Sequence, residues 1–308
     1  MILIPHKAKQ YLTFFIKLTI VCLAFYFIYS KLSENDQMNW SQFHSILRSR
    51  LSVFWLIILF LFSFGNRFLE ILKWQNLASF VSAITIGESC KQVLAALTAG
   101  LFTPNGIGEY AGKAMYYKKQ NTKKIIFLNL ICNGIQMLLA IIFGLLSLIY
   151  LGFYKWAMVL LFIIVLSIVF LFFIKNVTIK NYSVSVLIQK INELPKKMHT
   201  KNILLAIGRY ALLMHQYYLL FILFGVTADY FTLLATISAV YFIASSLPSF
   251  QFLDFVVKGS VALWFFDKIH VSEVVVLFIS TFMWFFNVVI PVCIGSYFVL
   301  TFKKTNIE

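Results

Sequence analysis

The sequence predicts an all-α integral membrane protein of about six transmembrane helices plus two re-entrant broken-helix hairpins, arranged as an inverted-topology repeat. Three observations carry this. Of 308 residues, 61% are hydrophobic and 12% charged, more apolar surface than a soluble chain of this length can bury. Apolar runs recur from end to end, and roughly 20 such residues suffice to cross hydrocarbon. Two further regions each hold an apolar half, a proline with small or polar residues, and a second half carrying an acid and a lysine.

The spans fall near 12–30, 52–72, 125–152, 156–174, 203–226 and 272–299. The first, Leu12 to Ser30, is longer than a signal-peptide core and lacks a small-x-small cleavage site, so it is expected to stay as a helix held inside by Lys7 and Lys9. The longest loops, about Lys31 to Leu51 and Lys175 to Lys201, are too short for a catalytic domain with its own core.

Residues 85–117 and 230–266 are the two hairpins, since neither half of either makes a full span. With the amino terminus inside and each hairpin returning to its side of entry, segments 1–11, 66–124, 175–201 and the tail are cytoplasmic. They hold most of the 26 lysines and arginines, as the positive-inside rule demands. Both termini are then cytoplasmic, in the cell membrane. A shift of about 145 residues lays 154–308 on 1–153, span on span and hairpin on hairpin. Each half has an odd number of crossings, so the halves are antiparallel. At this offset Glu109-Tyr-Ala-Gly-Lys113 meets Asp254-Phe-Val-Val-Lys258, and Pro104 meets Pro248.

Inverted repeats place substrate sites where broken helices turn backbone groups toward a cavity. Asn105-Gly106-Ile107-Gly108 suits such a break: glycine accepts positive φ, and amides at the start of the second half-helix can hold an anion. Glu109 and Lys113, like Asp254 and Lys258, stand at i and i+4, so each acid can neutralise its own lysine. The candidate substrate-binding residues are Thr103, Pro104, Asn105, Gly106, Gly108, Glu109, Lys113, Pro248, Asp254, Lys258 and Asn287. A plainer reading, in which the pairs only lock the hairpins, stands beside it.

Other features have plain readings. Trp284, Asn287, Pro291 and Gly295 share one helical face, suited either to meeting the hairpins or to an ordinary helix seam. Asn66, Arg67, Glu70 and Lys73 sit at the inner end of a span, where snorkelling toward water is the default. Lys118, Lys119, Lys123 and Lys124, with the lysines of 175–201, suit an inner-leaflet electrostatic anchor. Cys22, Cys90, Cys132 and Cys293 are widely spaced fillers, and His215 is a packing residue; neither pattern suggests a metal. No catalytic residue is assigned, and no Walker-type sequence points to ATP; no cofactor and no nucleic-acid partner are expected.

The run LTAGLFTPNGIGEYAGKAMYYKK resembles the hairpin of the lysylphosphatidylglycerol synthase transmembrane-region family, often called flippase-like, whose pattern maps to Thr103, Pro104, Gly108, Glu109 and Lys113. The second hairpin, LPSFQFLDFVVKGSVALWFF, departs from the family, having lost its glycines and replaced a glutamate by Asp254. The resemblance implies a translocase without the synthase domain; in bifunctional members of that family the membrane region is thought to move an aminoacylated phospholipid. The inverted hairpins, the membrane-only architecture and the basic centres of this chain suit an anionic phospholipid or polyprenyl phosphate moved between leaflets. A non-transporting assembly subunit and a membrane-embedded transferase are the competing readings.

Overall fold

The computed structural model describes residues 52–101, 103, 106–178, 183–247 and 254–302, and for Asp254 and Phe255 the backbone. The expected span 12–30, Pro104, Asn105 and Pro248 lie outside these residues, as does the Asp254 side chain.

Among the described residues the regular structure is helical, and five helices are long and apolar enough to cross a membrane. They are α1 (Val53–Ala78), α4 (Thr122–Tyr150, entered through a 3₁₀ turn Lys119–Asn121), α5 (Tyr154–Phe173), α7 (Lys196–Leu223), and a final continuous rod. The rod comprises α10 (Glu273–Trp284), a π turn (Phe285–Val289) and α11 (Ile290–Thr301). Each overlaps a span read from hydropathy. Two extend well beyond it: α1 runs on through Lys73 because its polar residues are buried, and α7 starts earlier, directly after Pro195.

Between α1 and α4 lie the short helices α2 (Ile86–Gly100) and α3 (Ile107–Ala114). A small helix α6 (Val184–Asn192) precedes α7, and α8 (Tyr230–Ser246) and α9 (Asp254–Asp267) lie between α7 and the final rod. The order long, short, short, long thus occurs twice.

Packing follows the same pattern. α1 lies along α7, while α2 lies against α11 of the other half and α8 against α4. α3 folds back on α2 and touches α4, and α9 folds back on α8 and touches α10. Both cross-half contacts need a glycine. A β-carbon on Gly295 would come within 3.0 Å of the Leu94 carbonyl and the Thr98 hydroxyl, and one on Gly144 equally close to Phe242. Close approach of small residues is the usual means of helix association in lipid, where no hydrophobic drive acts between helices.

Residue placement is that of a soluble helix turned inside out. On α1 the polar Ser63, Asn66, Glu70 and Lys73 are buried, while Phe60, Leu61, Phe64 and Phe68 are exposed. α5 has a mean hydropathy of 3.0 and one buried residue, Ala157. Only hydrocarbon or another apolar surface can solvate such a face.

Candidate functional site

A cavity of about 510 Å³ opens where α1, α7, the two short-helix pairs and the π turn meet. Its charged lining is Arg67, Glu70, Glu109, Arg209 and Lys258, with Asn287 beside them.

The charges of α1 and α7 are held as one cluster. Oε2 of Glu70 accepts from Arg67 Nη1 and from Arg209 Nη2, the latter at 3.1 Å. One carboxylate thus serves two guanidiniums. Arg209 Nε also donates to Asn66 Oδ1 at 2.8 Å, which turns the Asn66 amide toward Asn287 Oδ1 at 3.1 Å. Asn287 Nδ2 donates to Gln216 Oε1 at 3.1 Å, and Gln216 Nε2 donates to Ser63 Oγ at 2.6 Å and the Leu59 carbonyl at 3.0 Å. The chain of bonds runs α1–α7–π turn, and removing one member would strand buried donors.

Proline explains the π turn's part in this. Pro291 has no N–H for the carbonyl four residues before it, that of Asn287. Arg67 Nη2 donates to this oxygen at 2.7 Å. Asn287 therefore takes part through both side chain and backbone. Its face of the rod does meet a helix pair: Pro291, Val292 and Gly295 are buried, and Thr98 Oγ1 of α2 lies 3.3 Å from the Val292 carbonyl.

The break between α2 and α3 is closed from within. Thr103 Oγ1 donates to the Gly100 carbonyl at 2.9 Å and accepts from the Gly108 amide at 2.7 Å. Gly106, at φ 66°, starts α3 in the left-handed region that glycine tolerates. Its amide goes to the Thr103 carbonyl and that of Glu109 to the Gly106 carbonyl. The expected anion-binding amides are in these three cases spent on the chain itself, because the threonine hydroxyl bridges the break.

Lys113 also differs from expectation. It is 1% exposed, does not line the cavity, donates to Asn129 Oδ1 at 2.6 Å, and lies 4.6 Å from the centre of the Trp74 ring. Among the described ion pairs none joins it to Glu109. The i, i+4 spacing allows that pair, but the packing of α3 on α4 carries the amine to Asn129 instead. Lys73 is as deeply buried and donates to the Cys132 carbonyl at 2.9 Å, one turn along α4. Neither lysine snorkels. Lys258 stays half-buried on the cavity wall, 5.7 Å from the Tyr241 ring centre.

Of the predicted residues, then, the cavity unites Glu109, Lys258 and Asn287, while Thr103, Gly106 and Gly108 build the break and Lys113 lies behind it. Sequence reasoning missed Arg67, Glu70 and Arg209. The signal was present: ionisable groups inside apolar spans are rarely left facing lipid, and Asn66, Glu70 and Lys73 fall at i, i+4 and i+7, a single face. His215, by contrast, is half-buried on α7 and bonded to the Ala211 carbonyl and the Tyr230 hydroxyl.

The fold and site together define a chain whose described regular structure is helical, with five helices long and apolar enough to cross a membrane and a polar, charged cavity at the meeting of two short-helix pairs. A scan of protein-family models finds no match, and comparisons with curated proteins and with solved structures find none either.

Proposed function

We propose that this protein is a flippase-like translocase of the cell membrane that moves an anionic or phosphate-bearing lipid, or a lipid-linked carrier, between leaflets. The observation that carries the reading is the cavity. It joins both short-helix pairs, and its wall presents Arg67, Arg209 and Lys258 with Glu70 and Glu109. Charges inside a membrane protein are costly unless they are paired or serve a substrate path.

On this reading 1–153 and 154–308 are inverted repeats, and α2/α3 and α8/α9 are re-entrant hairpins entering from opposite faces, with both termini cytoplasmic. The reciprocal packing of α2 on α11 and α8 on α4 supports it. So do the short lengths: 15 and 8 residues in one pair, 17 and 14 in the other, each under the ~20 that cross hydrocarbon. The resemblance in the first hairpin points the same way. A transferase would need a free acid or base, whereas Glu70 is committed to two guanidiniums.

Reconstitution into liposomes with labelled phosphatidylglycerol, phosphatidate and a polyprenyl phosphate tests the proposal. Leaflet exchange well above that of protein-free vesicles is expected for at least one of them. Absence of exchange for all three would favour a non-transporting subunit.

A further inference from the structure

Among the described side chains the interior charge of the cavity region does not balance, and the imbalance has a direction. Arg67 and Arg209 line the cavity against Glu70 and Glu109, and Lys73 and Lys113 lie buried behind it; Lys258 is left out of this count because the side chain of Asp254, the acid one helical turn before it, lies outside the described residues. With every group ionised these six carry an excess of two positive charges. The two lysines rest on neutral oxygens, the Cys132 carbonyl and the Asn129 amide, and both lie within electrostatic reach of Glu70. The Asn129 Nδ2 beside Lys113 is buried without a hydrogen-bond partner.

Neutral acceptors do not offset the desolvation of an ammonium as an anion does. Such an arrangement is held together best when a ligand brings the missing negative charge. The guanidiniums are suited to receive it. Each carries five N–H donors, and the bonds described above use Nη1 and Nη2 on Arg67 and Nε and Nη2 on Arg209, leaving others to a ligand in the cavity that both residues line. About 510 Å³ is within the roughly 300–1,000 Å³ that enclose a ligand of drug size, enough for a headgroup though not for its lipid chains.

We infer that this cavity selects the doubly charged phosphate of a phosphomonoester over the singly charged phosphate of a phosphodiester and over a cationic aminoacylated headgroup. A phosphomonoester carries about −1.5 to −2 near neutral pH, matching most of the excess. An aminoacylated lipid would add positive charge to an interior already rich in it. The inference rests on the translocase reading for its biological setting but is tested by binding alone.

The protein in neutral detergent is titrated with dioctanoyl phosphatidate, dioctanoyl phosphatidylglycerol and lysyl-phosphatidylglycerol, reading tryptophan fluorescence and melting temperature. Phosphatidate should bind about tenfold tighter than phosphatidylglycerol, the effect of one further unit charge about 10 Å away at an effective dielectric near 20. Lys73→Met and Lys113→Met, which remove an ammonium without stranding a carboxylate, should each weaken phosphatidate about tenfold and narrow its lead. Inorganic phosphate separates the sources: competition only at far higher concentration assigns a lipid headgroup, and competition at equal concentration assigns free phosphate as the ligand. Equal affinity for the two lipids, a preference for lysyl-phosphatidylglycerol, or an undiminished lead in folded Lys73→Met and Lys113→Met would overturn the inference. Should one variant fail to fold, the other and the wild-type ranking still decide. Selective binding without leaflet exchange would leave this inference standing and remove the translocase.

Discussion

The pairs α2/α3 and α8/α9 meet the opposite half of the molecule at corresponding places but with different material. At α2–α11 a glycine receives backbone: Gly295 faces the Leu94 carbonyl and the Thr98 hydroxyl, and Thr98 Oγ1 is shared between the Leu94 and Val292 carbonyls at 3.1 and 3.3 Å. At α8–α4 a glycine receives the root of a side chain, with Cβ, Cγ and Cδ1 of Phe242 all within 3.0 Å of a β-carbon placed on Gly144. Neither a carbonyl nor a Cβ can move without its helix, and only the ring beyond the Cβ can turn. Both crossings are accordingly rigid, the first closed by a backbone carbonyl and the second partly by a movable ring.

The largest expected effect follows directly. Gly295→Ala should lower folded yield sharply, since overpacking costs typically ~1–3 kcal/mol and more where the neighbour cannot yield. Gly144→Ala should lower it too, with partial recovery when combined with Phe242→Leu, which removes the ring but leaves the Cβ. Size-exclusion profiles and melting curves in detergent check both; no recovery of Gly144→Ala on adding Phe242→Leu would erase the distinction.

The same asymmetry reaches the lysines that sequence alignment makes equivalent. Lys113 is sealed against Asn129 and Trp74, while Lys258 lines the open cavity. A cysteine replacing Lys258 should react with a water-soluble maleimide at least tenfold faster than one replacing Lys113, because only thiols that reach water ionise and react readily. Similar rates would mean that the two environments exchange.

The legible part of this molecule was its local part. Hydropathy and period marked α1, α4, α5, α7 and the final rod, and Gly106 with Gly108 marked the start of α3, because each signal lies within a few residues of the structure it causes. What escaped was long-range pairing. Asn66 and Asn287 are bonded across 221 positions, and Arg209 reaches Glu70 from another helix; nothing local to either residue names the partner. Snorkelling was therefore the natural reading for Arg67, Glu70 and Lys73, and an i, i+4 pair for Glu109 and Lys113. In both cases packing between helices overrode spacing within one.

The smallest predicted effect concerns how the two pairs begin. α2 opens with a capping box: Thr85 Oγ1 accepts from the Glu88 amide at 3.2 Å, and Glu88 Oε2 accepts from the Thr85 amide at 2.7 Å. α8 opens on Asp229, whose Oδ1 accepts the amides of Phe231 and Thr232 at 3.1 and 3.0 Å. The carboxylate thus stands three residues inside the first helix and at the cap itself in the second. Bonding to the Thr85 backbone amide holds Glu88 below its ordinary 4.5, and bonding to Thr232 holds Asp229 below its ordinary 3.8. A carboxylate whose pKa is depressed on folding stabilises above its unfolded pKa, and that contribution fades as pH falls through the folded value. Glu88→Gln and Asp229→Asn should therefore melt slightly below wild type near pH 7, with the gap closing as pH falls below about 4, and closing first for Glu88, whose unfolded value is higher. Thr85→Ala, which removes the hydroxyl of the box, should cost about 1 kcal/mol at neutral pH. Melting curves across this range decide the matter: a gap that stays constant into acid would show that these carboxylates do not act through the helix starts.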